Sequence, residues 1–422
     1  MIWGVVLPYA RPGILGGCFL ALGRAIGETM AVTMIVGNVQ RFQGLPFGQG
    51  NTIPSLLAVE LPSNVSQMHE AALIEMGLLL FGITIVMNAL ARLLLWRMAH
   101  ARRGPSLWSR LRGRHTAAST TAPDAPKQPL PSNPRGAVLV DRLMTGVLGL
   151  CLVLTCTPLF LILGFILYRG AGALNVEFFT QLPRPMGESG GGLANALAGS
   201  LMLVALATVF ALPLGLLASV FLAEYRTRRF GPVVRFFGEL LGGVPSIVIG
   251  TFVYTLVRLL IRWQILPPDE QFSGWAGAFA LGCMMIPIIQ RSSEEALKLV
   301  PQTLRNASHA LGAYHWQTVV RVSLPAALPA IITGTFLGIA RIAGETAPLL
   351  MTAFGNDKWS FSPGDKTAFL PLYIYEYSMS PDDNQVRLAW AAAFVLLAFV
   401  MVLNVGVRLL TGKRVVLASR AE

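Results

Sequence analysis

Charged residues are scarce in this chain. Only 13% of its 422 residues are Asp, Glu, Lys or Arg, against roughly a quarter in ordinary soluble domains, so a freely soluble globular protein is excluded. Cysteine is scarce too: Cys18, Cys151, Cys156 and Cys283 all sit in apolar runs without metal-ligand spacing, which excludes a disulfide framework or a zinc cluster and predicts buried free thiols. No Gly-x-x-x-x-Gly-Lys-Ser/Thr run occurs, so the chain has no P-loop with which to hydrolyse a nucleotide. The run Ser189-Gly190-Gly191-Gly192 lacks the Lys-Ser/Thr of such a loop and reads as a flexible outer loop. His309 and His315 have no Cys or carboxylate arrangement around them, which argues against metal binding or acid–base catalysis there. No cleavable leader is expected, because Met1 runs almost directly into an internal repeat.

What the chain has is apolar length. Hydrophobic residues make up 54% of it and the mean hydropathy is +0.60. Runs of about 20 apolar residues mark membrane-spanning helices, predicted here at roughly 12–37, 71–95, 143–167, 193–222, 236–260, 273–290, 327–352 and 386–410. Placing the N-terminus in the cytoplasm puts 23 of the 33 Lys and Arg on or beside cytoplasmic segments, eight towards the outside and two, Arg24 and Arg341, within the membrane. This distribution follows the positive-inside rule, and it accounts for the net charge of +12 without a nucleic-acid partner. Tyr373, Tyr375 and Tyr377 with Trp359 are expected to form an outer aromatic belt.

The repeat is the strongest functional signal. Leu7-Pro8, Ala10, Pro12, Ile14, Gly17, Phe19-Leu20, Arg24 and Gly27-Glu28-Thr29 return 317 residues later as Leu324-Pro325, Ala327, Pro329, Ile331, Gly334, Phe336-Leu337, Arg341 and Gly344-Glu345-Thr346. An ionised group at the bilayer centre costs at least ~2.5–3.5 kcal/mol on insertion scales, so two per helix in two related helices ask for a use. Residues i and i+4 share a helix face, which lets Arg24 pair with Glu28 and Arg341 with Glu345. Two uses fit: each Arg offers a transient station to an anion along a substrate path, or each pair pins two helices together. Passage would require weak, multi-site binding, which the neighbouring Glu favours.

The repeat also sets the domain organisation. Residues 1–98 hold two helices, 99–136 form an Arg- and Pro-rich stretch expected to be a disordered cytoplasmic linker, and 137–422 hold six helices with a cytoplasmic loop at 291–326. The first two helices align with the last two of the second unit: Gly37-Asn38 with Gly355-Asn356, Ile53-Pro54 with Leu370-Pro371, and Asn88 with Asn404. The first unit therefore lacks counterparts of the first four helices, as a late start, a frameshift or a true fusion would each produce.

In the loop 291–326, Leu304, Ala307, Ala310 and Leu311 form one stripe of a short helix that Gly312 stops. A second short helix, about 315–323, is expected to break at Leu324-Pro325. The two would form a knob for a partner's groove or lie on lipid as an interfacial segment.

Asn306-Ala307-Ser308, Gly312 and Leu324-Pro325 resemble the EAA loop through which ABC importer permeases couple to their ATPases. Gly243-Val244-Pro245-Ser246, Pro287-Ile288-Ile289-x-Arg291 and Ala340-Arg341-Ile342-Ala343-Gly344-Glu345-Thr346-Ala347-Pro348 resemble PstA-type permeases of phosphate importers over about 137–420. Residues 2–98, through Leu22-Gly23-Arg24-Ala25-Ile26-Gly27-Glu28-Thr29, resemble the C-terminal part of the companion PstC type. The resemblance implies an all-α polytopic membrane protein with the type I ABC importer permease fold, about eight transmembrane helices in a two-plus-six arrangement, in the bacterial inner membrane. It implies no cofactor on this chain and ATP used by a separate ATP-binding subunit. The other partners implied are a periplasmic phosphate-binding protein, a companion PstC-type permease, phosphate and membrane lipid. The substrate path would use Arg341, Glu345, Arg24 and Glu28, and ATPase coupling would use Asn306, Ala307, Ser308, Gly312, Leu324 and Pro325. The family usually has Glu where this chain has Asn306, which removes a charge from the docking face. A permease for sulfate or molybdate and a truncated non-transporting membrane protein are the competing readings.

The topology has a direct check. A cysteine at Ser119, within the linker, should resist a membrane-impermeant thiol reagent applied from outside and react once the cytoplasmic face is opened; labelling from outside would invert the orientation.

Overall fold

The computed structural model describes residues 7–39, 48–63, 66–101, 134–225 and 230–418. Most of the linker, Ser119 and the side chain of Arg24 lie outside the described residues. The described chain is helical, and the only pairings of extended backbone among these residues are two isolated bridges, Gly37 with Gly50 and Phe354 with Thr367.

The first unit contains α1 (Leu7–Ile26), α2 (Met30–Val36), α3 (Ile53–Glu60) and α4 (Gln67–Ala101). The second contains α5 (Pro134–Ala171), α6 (Val176–Thr180), α7 (Ala194–Glu224), α8 (Gly231–Gly243), α9 (Ser246–Arg262), α10 (Gly274–Leu299), α11 (Gln302–Ala310), α12 (His315–Thr318), α13 (Leu324–Ile342), α14 (Ala347–Thr352), α15 (Leu370–Ser378) and α16 (Asp383–Ala418). Among the described residues, five helices are long and apolar enough to cross a membrane, and α8 with α9, bent by 105°, supply a sixth span if they are counted as one. The runs expected at 71–95, 143–167, 193–222 and 386–410 are continuous helices, whereas those at 12–37, 236–260 and 327–352 are interrupted.

Each interruption has a local cause. Before Pro245 the α region is sterically disfavoured, and Val244 accordingly turns extended (φ −74°, ψ 135°) after Gly242-Gly243. α1 ends before Gly27, with the Glu28 amide donating to Ala25 O at 3.2 Å, and α13 ends in the same way, with the Glu345 amide donating to Ile342 O at 3.1 Å. The following caps also match: Thr29 has φ −106° and Thr346 φ −107°.

The repeat is thus a repeat of backbone path. The Gly50 amide donates to Val36 O at 3.0 Å and the Thr367 amide to Ala353 O at 3.2 Å, both steps separated by the same 317 residues. This geometry moves one sequence pairing by a residue: Gly37 (φ +86°) and Asn38 (φ +50°) correspond to Phe354 (φ +63°) and Gly355 (φ +90°), not to Gly355-Asn356. Identity of the Gly-Asn pair suggested the wrong register. A left-handed Phe is unfavourable, and Phe354 is held there by Phe272, 4.5 Å between centroids, and by Lys366 Nζ, 4.7 Å from its ring.

A second correction concerns Pro325. The helix does not break there. A π-helical turn, Val319–Ser323, joins α12 to α13, and the Leu324 amide donates to Val319 O. The wider turn carries the helix past a residue with no N–H, as π-bulges commonly do at irregular points.

The two units share one core. Leu57, Leu73 and Leu80 of the first pack with Ile247, Val253, Met285 and Leu350 of the second, all at most 9% exposed. Towards the end of the bundle opposite the 291–326 loop, Glu70 of α4 accepts from Arg258 Nη2 and from Tyr254 Oη, each at 3.1 Å. α5 is exposed along nearly its whole length and is fastened near one end, where Phe165 meets Trp390 edge-on at 5.1 Å.

Three smaller expectations change. Cys18 and Cys151 are exposed rather than buried, and all four cysteines are free thiols. The Ser189–Gly192 run is fastened rather than loose: Asn384 Nδ2 donates to Gly190 O at 2.9 Å, and the Gly192 amide donates to Leu182 O at 3.1 Å. Tyr373 and Tyr377 are buried instead of forming a belt. Tyr373 Oη donates to Asp357 Oδ1 at 2.7 Å. In this layer, burial and then the Asp357 charge raise the Glu376 carboxyl above its usual range, while amide donors from Gly187 and Asn384 hold Asp382 below it.

Close approach of α9 to α14 depends on Gly250, where a Cβ would fall 2.7 Å from Pro348 Cα. Gly250→Val should therefore cost ~2 kcal/mol or more, as overpacking against backbone does, read as a lower Tm in detergent. Gly344→Ala, with nothing within 4 Å of its added carbon, should leave the Tm unchanged.

Candidate functional site: a cavity at three helix breaks

The three interruptions meet. A cavity of about 480 Å³ is walled by Gly27-Glu28-Thr29-Met30 of the first unit, by Gly243-Val244-Pro245-Ser246, and by Gly344-Glu345-Thr346, with Asn88, Met284 and Arg341 among its other lining residues. Irregular backbone at membrane depth is tolerated where it lines a cavity, and the sequence permits the close approaches. At Gly27 a Cβ would sit 2.8 Å from Pro245 Cβ, and at Gly243 it would collide with the Asn88 side chain. Small residues at these points are what let the two units converge.

Arg341 and Glu345 pair as the sequence suggested, Nη2 to Oε1 at 3.2 Å, with side chains 39% and 17% exposed. The route differs, because the helix ends at Ile342 and Glu345 belongs to the break rather than to a shared helical face. Glu28 is exposed at the cavity wall. The cavity thus holds a guanidinium and two carboxylates. It also faces the first turn of α9, a 17-residue helix whose leading amides have no intrahelical acceptor and carry the positive end of the helix dipole. A planar guanidinium fork beside such a helix end suits an oxyanion, and carboxylates so close would repel the same anion.

On the 291–326 loop, where the residues expected to couple lie, α11 and α12 form a compact helical knob. α11 and α12 are held together by Ser308 Oγ and Thr318 Oγ1 at 2.9 Å. Gly312 takes the left-handed turn between them (φ +84°). Asn306, Ala307 and Pro325 are exposed and Leu324 is half-buried. Leu304 (46% exposed) and Leu311 (89%) present the apolar stripe outward.

Several contributors escaped the sequence reading. Pro245 and Gly243 were visible only as part of a family motif and Asn88 only as a repeat match. The contact of Glu70 with Arg258, 188 residues apart, left no local signal.

Broken helices around a polar cavity, with a small helical knob on one face, define a membrane permease component. The model of the family described as binding-protein-dependent transport system inner membrane component matches residues 211–415. The phosphate transport system permease protein PstA of Haemophilus influenzae is 42% identical over 270 residues, 64% of this chain and 93% of that protein. PstA of Yersinia pestis is 42% identical over 58% of this chain and 81% of its own length, and PstA 1 of Mycobacterium tuberculosis is 40% identical over 51% and 68%. An inward-facing MetNI methionine ABC transporter structure superposes with a TM-score of 0.42 at 19% identity, over 52% of this chain and 95% of that one. The chain belongs to the PstA family of phosphate transport system permeases, multi-pass proteins of the inner membrane.

Substitution at the ion pair separates an anion station from a helix pin. Arg341→Gln should lower transport by about tenfold or more, since a hydrogen bond to a charged group is worth ~1.5–3 kcal/mol, while insertion persists. The double change with Glu345→Gln should not restore transport. Recovery in the double variant would identify a pin, because a neutral hydrogen-bonded pair can hold two helices.

Proposed function

We propose that this chain is a transmembrane permease subunit of an ATP-driven inorganic phosphate importer. The observation that carries this reading is the position of Arg341, at a cavity where the breaks of both repeats meet the first turn of α9. Phosphate, an oxyanion with one to two negative charges near neutral pH, matches a guanidinium fork and a helix N-terminus. The substrate path runs past Arg341 and Glu345, and on the first unit's side past Glu28 and Arg24. The first unit contributes Gly27 to Met30 to the cavity wall, which favours a working part over a passenger.

The knob formed by α11 and α12 docks a separate ATP-binding subunit, which supplies all hydrolysis. Asn306, Ala307, Ser308 and Gly312 form its contact and turn, and Leu324 and Pro325 open α13, which the π turn joins to the knob. A periplasmic phosphate-binding protein delivers substrate from the opposite face. A companion PstC-type permease is supported by an asymmetry of the cavity: Gly27 packs on Pro245, whereas its repeat equivalent Gly344 has no neighbour within 4 Å of an added Cβ. A companion closes that open flank.

Radiolabelled phosphate uptake, measured in a strain that carries this chain with its partners as the sole phosphate importer, tests the reading. Saturable uptake unaffected by excess sulfate or molybdate is expected. Membrane-inserted protein with no uptake, or uptake that sulfate or molybdate suppresses, would overturn it.

A further inference from the structure

Arg305 immediately precedes Asn306 in α11, yet its side chain turns inward. Its five N–H donors are all engaged. Nε and Nη2 donate to Glu224 Oε1 at 3.2 and 2.8 Å, in the last turn of α7. Nη1 donates to Val300 O at 2.8 Å and to Gln302 Oε1 at 3.4 Å, and Nη2 also donates to Leu297 O at 2.8 Å, at the end of α10. The two side chains are 13% and 4% exposed, so the pair is withdrawn from water, where loss of one partner is felt most. The next residue of the α7 terminus is gripped as well, Tyr225 meeting His315 of α12 edge-on at 5.0 Å.

These contacts matter because of what α7 and α10 do elsewhere. The two pack closely, Gly215 of α7 lying where a Cβ would fall 2.9 Å from Ile289 of α10, and α10 carries Met284 to the cavity wall. Through the chain itself the knob is joined to α10 and α13. Arg305 adds the link to α7 and reinforces the one to α10, and the fork geometry that serves four acceptors at once is one an ammonium group cannot reproduce.

Building on the importer reading, we propose that the pair formed by Arg305 and Glu224 is the positioning contact through which displacement of the coupling loop by the ATPase reaches α7, α10 and the cavity. Asn306 and the exposed stripe receive the ATPase; Arg305 passes the load inward. Breaking the pair uncouples hydrolysis from transport without removing the docking face.

The test compares wild type with Glu224→Gln and Arg305→Lys in proteoliposomes with the companion permease, the ATPase and the binding protein, scoring membrane abundance, ATPase co-purification, ATP hydrolysis and phosphate moved per ATP. Both variants should retain the ATPase and hydrolyse ATP within about twofold of wild type, while phosphate per ATP falls about tenfold, equivalent to about 1.4 kcal/mol of lost coupling. An unchanged ratio, a loss of transport and hydrolysis in equal proportion, or failure of both variants to accumulate would overturn the proposal. A second readout needs no phosphate. With the four native cysteines replaced by alanine, the ATP-dependent change in labelling of Met284→Cys should vanish in both variants, and its persistence would overturn the proposal. Absent uptake by wild type would reject the phosphate reading while this labelling still judges the contact.

Discussion

A helix interrupted inside a bilayer leaves backbone N–H and C=O groups without intrahelical partners, and hydrocarbon offers none. The rest of this structure follows from where those interruptions are placed. Three of them, at Gly27-Thr29, Val244-Pro245 and Ala343-Thr346, converge on one cavity, so the exposed polar backbone lines a space where water or an anion can satisfy it. Gly27 and Gly243 let the units approach at that level, and the shared apolar core on one side of it, with Leu57, Leu73 and Leu80 against Ile247 and Val253, fixes the geometry. Remove the convergence, and each break would face lipid.

The helical class was legible because a bilayer selects for apolar runs of spanning length, and within hydrocarbon a run of that length satisfies its backbone as a helix. The breaks were not legible, since apolar residues continue straight across them: Met30 to Val36 and Ala347 to Thr352 are as hydrophobic as the helices before them. Hydropathy measures solvent preference and is blind to a change of direction. Pro245 carried a mechanism for its bend, through the restriction on Val244, whereas Pro325 carried the same warning and the chain absorbed it with a π turn. A proline in an apolar run therefore states that one hydrogen bond is missing; packing decides whether a bend follows.

The site was legible in part for a different reason. Arg341 and Glu345 stood out because charge is costly in hydrocarbon, and their pairing at 3.2 Å needed only nearness in sequence. Asn88, remote in sequence from the Pro245 break but present at the same cavity, and Glu224, 81 residues from Arg305, become visible only after folding. Repetition helped with the path and misled about register: identical Gly-Asn letters drew one pairing, while the left-handed backbone is shared by Gly37-Asn38 and Phe354-Gly355. Conformation was preserved between the copies where residue identity was not.

The two copies now differ in burden. In the second unit the repeat connects at its start to the knob, through α12 and the π turn, and at its break to Arg341 and the cavity. In the first unit the same backbone path supplies a wall whose Gly27 rests on Pro245, and its α4 is tied to the second unit at the far end by Glu70 and Arg258. That contact is partly exposed on the Arg258 side, at 42%, so screening limits its strength, and the apolar core beside it carries most of the attachment. The first unit is therefore held chiefly by shape and burial, whereas the knob of the second is held by the buried fork between Arg305 and Glu224.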